Sequence, residues 1–235
     1  MSGQRSASER PARLHPRTAR GVHDRLLAEY GEQGWWPGDT AFEVVVGAVL
    51  TQNAAWTNVE YALANLRAAD ALTPEAIVDL SPERLGELIR PSGYYNVKAR
   101  RLQAVCAFLL EQGGVEALDE LDTDALREAL LAVHGVGRET ADDIVLYGFH
   151  RPVFVIDAYT RRIFSRLGLL DHRAGYEALR AAFENALPRD PGLYQEYHAL
   201  IVQHAKQACG VRPRCDDCCL RRRCPVGRGE AAPSP

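Results

Sequence analysis

The chain of 235 residues lacks the features of membrane-spanning and secreted proteins. No apolar run approaches the roughly 20 residues that a membrane-spanning helix needs. The N-terminal stretch is rich in Arg and Ser and has no apolar core of the signal-peptide kind. Lysine is scarce, since Lys98 and Lys206 are the only two in the sequence. These absences predict a cytoplasmic protein with few side-chain amines.

A basic net charge is also missing, because 28 Lys and Arg residues stand against 31 Asp and Glu residues. Any anion-binding face must therefore come from local clustering. Basic residues do cluster in the stretches 1–20, 90–101 and 206–228, whereas residues 111–128 are acidic. A solvated charged face explains each stretch taken alone. Because the three basic stretches flank candidate chemistry, we expect them to face a polyanion and the acidic stretch to face away from it.

Strand-like alternation is weak, and helical periodicity dominates, which predicts an all-α fold. The periodic segments are 41–51, 56–68, 96–112, 123–133, 138–148, 158–168, 173–186 and 194–208. Thr73, Ser81 and Asp122 precede such runs and are predicted to be helix N-caps. The run VFVID at 153–157 fits either an extended or a helical segment. We expect a disordered lead at residues 1–18 and a frayed tail at 229–235.

The stretch HGVGRETADD at 134–143 predicts a tight turn between two helices. Gly135 and Gly137 permit a positive φ and the close approach of another backbone. The N–H groups of such a turn and of the following helix N-terminus point toward an anion, as in a helix-hairpin-helix that grips a DNA phosphate without reading its sequence. An ordinary tight turn is the alternative for this pattern.

Asp157 lies at the end of an apolar run and at the start of a periodic segment, in VIDAYTRR. A carboxylate in that place would be partly desolvated and could be aimed into a cleft. An aspartate before a helix is also typical of an N-cap, and the two roles are compatible.

Five of the six cysteines lie within residues 209–224, which is not the dispersed pattern of a disulfide framework and indicates a metal site. Zinc is one interpretation, but zinc ribbons favour paired C-x2-C knuckles and the run holds one such pair. An iron–sulfur cluster fits better, and we predict a 4Fe-4S cluster. Cys106, on an apolar helix face, is predicted to be a core residue. The candidate ligands are Cys209, Cys215, Cys218 and Cys224.

In this order, the hairpin, the aspartate and the cysteine run resemble the helix-hairpin-helix glycosylases of the endonuclease III family, from about Trp35 to Cys224. The resemblance implies two helical lobes with the active site in the cleft between them. It also implies that a monomer binds double-stranded DNA with a damaged base, which is flipped out, so that the protein would be associated with the nucleoid. The implied boundaries are 39–150 for a six-helix barrel, 123–148 for its helix-hairpin-helix, and 19–38 with 151–228 for the cluster-bearing lobe.

The same resemblance implies roles for individual residues. Asp157 matches the family's catalytic aspartate, and Gln52 in LTQN matches the side chain that fills the gap left by the flipped base. The residues that match the DNA-binding hairpin are Gly135, Val136, Gly137 and Arg138.

Glu139 occupies the position where the family's bifunctional members carry a lysine nucleophile. An amine attacks the sugar and forms a Schiff base that permits strand cleavage, and a carboxylate cannot form that imine. The expected activity is therefore base excision by water, assisted by Asp157 and without strand cleavage. A first-turn acid stabilised by the helix macrodipole is the alternative role of Glu139.

The segments WWPGDTAFEVVVGAVLTQNAAW and RPSGYYNVKARRL are similar to the 3-methyladenine DNA glycosylase branch of the family. By this similarity Trp36, Pro37 and Trp56 would sandwich the extruded base, and Lys206 would lie beside the pocket. Burial of the tryptophans in the core is the alternative. Trp36 lies in a helix-breaking loop, however, and loops are where binding residues concentrate.

The predicted function is a monofunctional base excision repair glycosylase for alkylated purines such as 3-methyladenine. One alternative is an endonuclease III-like glycosylase for oxidised pyrimidines with weak lyase activity at abasic sites. A non-catalytic protein that binds damaged DNA, or a cluster-based redox sensor, is another. Asp157 argues against the non-catalytic alternatives, because binding alone needs no desolvated carboxylate.

Overall fold

The computed structural model describes residues 13–35, 38–171 and 173–230. These residues form helices and no strand, which confirms the all-α fold. No helix in this described part is both long and apolar enough to cross a membrane. The α-helices are α1 (Pro16–Tyr30), α2 (Ala41–Thr51), α3 (Trp56–Ala68), α4 (Pro74–Asp79), α5 (Pro82–Leu88), α6 (Tyr95–Glu111), α7 (Val115–Asp119), α8 (Thr123–Leu131), α9 (Arg138–Asp143), α10 (Ala158–Arg166), α11 (Tyr176–Ala186) and α12 (Pro191–Gln207).

The chain divides into two compact units, Met1–Gly34 with Phe154–Pro235 and Trp35–Val153. In the first unit α1 packs on α11 and α12, and α10 packs on α12. Its core is aromatic: the rings of Phe154 and Phe183 stack with centroids 4.1 Å apart, and Tyr197 lies edge-on to both. Such arrangements stabilise a core beyond simple area burial.

The second unit has an aliphatic core drawn from α2 to α9. Val49, Leu102 and Leu126, from three different helices, are fully buried in this core. Helices α4 and α5 pack on α6, and α2 packs on the π-helical turn Ile144–Gly148 that follows α9. The periodic segment 138–148 is therefore not one α-helix as predicted, because the backbone widens into a π turn after Asp143.

The predicted N-caps are confirmed. Thr73 accepts from the N–H of Ala76, Ser81 from that of Arg84, and Asp122 from that of Ala125. Each side-chain oxygen satisfies a donor that has no partner inside the helix.

The expected disordered lead is wrong for its last residues, because α1 begins at Pro16. Proline suits the first helical turn, and the His15 ring accepts the N–H of Arg17 at 3.2 Å. Residues 1–12 of the predicted lead and 231–235 of the predicted tail lie outside the described residues.

Residues 151–157 form neither helix nor strand, although Val153 to Ile156 are buried. Side chains of α11 accept hydrogen bonds from the backbone of this segment. The Phe154 N–H donates to the Glu184 carboxylate at 3.0 Å, and the Ile156 N–H donates to the Tyr176 hydroxyl at 3.4 Å. Buried apolar side chains and these two bonds hold the segment that leads into Asp157.

Candidate active site

Asp157 is the N-cap of α10, as the sequence predicts. Its Oδ1 accepts the N–H of Thr160 at 2.6 Å, and its Oδ2 lies 3.6 Å from Nε2 of His198 on α12. The residue is only 8% exposed. The carboxylate is thus both a helix cap and a largely desolvated group.

Competing effects act on the pKa of Asp157. Burial raises the pKa, whereas the neighbouring His198 ring, when protonated, and the N–H of Thr160 lower it, and the net result lies below the ordinary value. The carboxylate is therefore ionised at neutral pH. A group of this kind is a weak proton acceptor but a fixed negative charge, which suits it to stabilise a positive sugar.

The four predicted ligand cysteines line one pocket of the first unit. Cys209, Cys215, Cys218 and Cys224 share it with apolar residues that include Ile163 and Leu167, and with His204. Cys219 is not among the lining residues. Among the described residues, no three His, Cys, Asp or Glu side chains form a group ready to hold a metal ion. The four thiols therefore share one pocket, but they are not arranged around a single common centre.

Arg166 organises the loop that follows α12. Its guanidinium donates to the Cys209 sulfur at 3.4 Å and to the carbonyls of Gly210 at 2.6 Å and Val211 at 2.9 Å. The Cys224 thiol donates to the Arg166 carbonyl at 3.3 Å. One arginine of α10 therefore ties together both ends of the cysteine run.

The thiols lie close enough to influence each other's ionisation. Burial raises the pKa of Cys218, and the negative charges of Cys209, Cys224 and Cys215 raise it further, against the N–H of Leu220. Thiolates gathered in one pocket are a donor set that a positively charged metal group would stabilise. Cys106 is different: burial raises its pKa to about 12, and it lies in the aliphatic core of the other unit, as predicted.

The hairpin motif lies in the second unit, between α8 and α9. Gly135 has φ +89°, whereas Gly137 is an extended N-cap with φ −92°, so only the first glycine uses the left-handed region. Val136 is buried, and its N–H donates to the Val133 carbonyl at 3.1 Å. Gly137, Arg138 and Glu139 are exposed at the start of α9. The motif thus presents a helix N-terminus to solvent.

A buried ion pair clamps the two helices of this motif. Nε of Arg127 on α8 lies 2.5 Å from Oδ1 of Asp142 on α9, and Asp142 is fully buried. Sequence reasoning missed this pair, because a charged residue on an amphipathic helix is ordinarily a surface residue.

Gln52 is the C-cap of α2, and its amide reaches the hairpin. Its Nε2 donates to the Gly135 carbonyl at 3.1 Å and to the Thr140 hydroxyl at 3.0 Å. Two predicted DNA-contacting segments, one at Gln52 and one at the hairpin, are therefore in direct contact.

Of the residues predicted to line the base pocket in the second unit, the structure describes Trp56. Trp56 opens α3 and is half-buried; its ring lies edge-on to Trp35 at 6.0 Å, and Trp35 lies edge-on to Tyr147 at 5.5 Å. Trp36 and Pro37 lie outside the described residues. The sequence analysis assigned no role to Trp35 or Tyr147, although Trp35 is adjacent to the predicted pocket residue Trp36.

The two lysines have contrasting environments. Lys98 is 1% exposed and donates to the carbonyls of Leu50 at 2.7 Å and Ser92 at 2.6 Å. Burial lowers its pKa to about 8, with a further contribution from Arg101. Lys206 is exposed in the last turn of α12. Lys98 is therefore an internal tie between backbone segments.

Comparison with known proteins places this architecture in a family. Residues 46–189 match the model of the HhH-GPD superfamily of base excision DNA repair proteins. A Methanocaldococcus jannaschii protein named "Putative DNA repair glycosylase MJ1434" is 48% identical over 206 residues, which is 86% of this chain and 94% of that protein. Endonuclease III of Thermotoga maritima is 32% identical over 80% of this chain and 86% of its own length.

Among solved structures, that of 3-methyladenine DNA glycosylase from Helicobacter pylori bound to 1,N6-ethenoadenine superimposes with a TM-score of 0.68 at 30% identity, covering 82% of this chain and 95% of that one. The chain belongs to the HhH-GPD superfamily of base excision DNA repair proteins. The predicted family and the predicted enzyme class, a DNA glycosylase, are confirmed.

Proposed function

We propose that the protein is a monofunctional glycosylase that hydrolyses the N-glycosidic bond of alkylated purines, such as 3-methyladenine, in double-stranded DNA. The observation that carries the monofunctional part is the distribution of amines. Glu139 stands in the first turn of α9, where the bifunctional relatives' lysine is expected, and Lys98 is buried on two backbone carbonyls. Neither residue offers a free amine for Schiff-base chemistry, and the exposed Lys206 does not match the family's nucleophile position.

The chemical step falls to Asp157. Its ionised carboxylate stabilises the positive charge that develops on the sugar as the base departs, and water completes the displacement. An alkylated purine is itself cationic and is a good leaving group. No dedicated general acid is therefore required, and a low-pKa carboxylate is sufficient.

Recognition of a cationic base requires electron-rich ring faces. The half-buried Trp56 and its neighbour Trp35 supply aromatic surface on the second unit, and the relative with the bound etheno base supports a purine-sized ligand. We assign Trp36 and Pro37 to the same pocket. A cation over an aromatic face gains about 0.5–2 kcal/mol, which neutral oxidised pyrimidines do not gain.

DNA binding is assigned to the exposed turn at Gly135 to Arg138 and to Gln52. The N–H groups at the start of α9 bind a phosphate, and Gln52 fills the space left by the extruded base. The protein acts as a monomer at the nucleoid.

The residues that would hold a 4Fe-4S cluster are Cys209, Cys215, Cys218 and Cys224, which line one pocket and form a donor set that fits such a group. When bound, the cluster cross-links the loop covalently through its iron–thiolate bonds. The chain itself then presents Arg221, Arg222 and Arg223, which form a 3-10 turn and are exposed, to phosphate.

The deciding experiment measures base release from two duplexes, one with 3-methyladenine and one with thymine glycol. We expect faster release of 3-methyladenine, and a large loss of that release in Trp56→Ala. Faster release of thymine glycol would instead favour an endonuclease III-like activity, which the Thermotoga relative makes the second candidate. No release of either base would favour the non-catalytic DNA-binding alternative.

A further inference from the structure

The Gln52 side chain is the meeting point of three elements in the second unit. Arg101 of α6 donates from Nη1 to Gln52 Oε1 at 2.5 Å, while Gln52 Nε2 donates to the Gly135 carbonyl and the Thr140 hydroxyl. The orientation of the amide follows from chemistry, because a guanidinium can only donate and a carbonyl can only accept. Both amide hydrogens and one acceptor site of Gln52 are therefore used.

The backbone of the hairpin is shaped to admit Arg101. A Cβ at position 135 would lie 2.8 Å from Cδ of Arg101 and closer still to its Cγ. Gly135 also has φ +89°, which disfavours any residue with a side chain. Glycine is thus required at 135 for two reasons, and one of them is the path of the Arg101 stem across the turn.

The burial of these residues indicates that the hydrogen bonds of Gln52 are stable. Thr140 is buried, and Arg101, Gln52 and Gly135 are each half-buried, so water competes only partly for these bonds. A charged donor to a partly desolvated amide makes a stronger bond than a neutral pair does. Arg100, the adjacent residue on α6, carries the same charge but is exposed.

We propose that Arg101 is a positioning residue that fixes the Gln52 amide on the hairpin, so that the phosphate-gripping turn and the gap-filling side chain enter DNA as one preorganised unit. This inference rests on the proposed function of Gln52 and the hairpin. Thr140 serves the same purpose from the other side of the amide. Preorganisation lowers the conformational cost of binding without adding a contact to DNA.

The test is a double-mutant cycle on affinity for a duplex that contains a tetrahydrofuran abasic analogue. Such a duplex offers the gap without requiring base release, so failure of the glycosylase proposal, seen as no release of alkylated base, is scored separately. The variants are Arg101→Met, Gln52→Ala, their combination, and Arg100→Met as the control with equal loss of charge. Thermal melting of each variant establishes that it is folded.

We expect Arg101→Met and Gln52→Ala each to weaken binding about tenfold, consistent with loss of a hydrogen bond to a charged group. The double variant should be no weaker than Gln52→Ala, and Arg100→Met should show only the salt-dependent loss of one charge. If the effects of Arg101→Met and Gln52→Ala multiply, or if Arg101→Met matches Arg100→Met, Arg101 is a direct phosphate contact and the proposal is wrong. It is equally wrong if Gln52→Ala binds as tightly as the native protein.

Should Arg101→Met fail to fold, Thr140→Val carries the test. This change removes the hydroxyl that accepts from Gln52 Nε2 while keeping a similar volume. We expect the same loss of affinity for the abasic duplex and the same lack of additivity with Gln52→Ala. An unchanged affinity in folded Thr140→Val would overturn the proposal.

Discussion

Oδ2 of Asp157 lies 3.6 Å from Nε2 of His198, across the packing of α10 against α12. The pair links a helix-capping carboxylate to a buried imidazole. It also makes the ionisation of the proposed catalytic group dependent on a residue that does not belong to any sequence motif.

Asp157→Asn removes the fixed charge while keeping the shape and the ability to cap α10. We expect release of 3-methyladenine to fall by about 10²–10³-fold, the range for loss of one preorganised electrostatic contact. Affinity for the abasic-analogue duplex should remain nearly native. Single-turnover base release and gel-shift titration measure the two quantities, and substantial release by Asp157→Asn would move the chemistry elsewhere.

The acid limb of the pH–rate profile should depend on His198. In the native protein the pKa of Asp157 lies below its ordinary value. The carboxylate therefore stays ionised, and the rate stays high, until the pH falls through that lower value. His198→Leu removes the ion pair but leaves the burial, which raises the pKa of Asp157. We therefore expect the acid limb to shift to higher pH, and an unchanged limb would show that His198 does not control this group.

Loss of one partner of the Arg127–Asp142 pair should destabilise the protein far more than replacement of both partners by apolar residues. Asp142→Asn or Arg127→Met leaves one charge buried and should lower the free energy of unfolding by about 3–5 kcal/mol. The double variant Arg127→Met/Asp142→Leu should recover most of that loss. Thermal or urea unfolding measures these values, and equal destabilisation in the double variant would contradict this account.

Borohydride should trap little covalent enzyme on abasic DNA in the native protein. Glu139→Lys places an amine at the exposed start of α9, and we expect it to gain measurable trapping and strand cleavage. Glu139→Gln is the matched control and should gain neither. Efficient trapping by the native protein that disappears in Lys206→Ala would show that the exposed lysine is the nucleophile.

The purified protein should be brown, with iron and sulfide in equal amounts. Cys215→Ser should lose iron and melt at a lower temperature, because the pocket then lacks one of its four thiols. Cys219→Ser, outside the pocket lining, should keep its iron and colour. A colourless protein with stoichiometric zinc would favour the four-cysteine zinc interpretation instead.

Local chemistry accounts for what the sequence could predict. The caps at Thr73, Ser81 and Asp122 depend on a side chain and a backbone group three residues apart, so a short window contains all the information. Asp157 as a helix cap is predictable for the same reason. The family resemblance supplied the remaining site assignments.

Contacts between distant segments could not be predicted in this way. His198 lies on an apolar helix face, where a histidine is ordinarily a core residue, and only the fold brings it to Asp157. The passage of Arg101 over Gly135 likewise depends on how α6 crosses the hairpin. The π turn after α9 was missed, because apolar periodicity does not distinguish it from a continuing α-helix.

The burial of Lys98 has a practical consequence for probes that react with amines. Of the two lysine side chains, one is sealed between backbone carbonyls and the other, Lys206, stands exposed at the end of α12. Amine-directed dyes and surface-coupling reagents will therefore modify lysine at a single place, beside the cysteine loop. Formaldehyde cross-linking through lysine will therefore report DNA contacts near Lys206 and none from the second unit, which contains the hairpin.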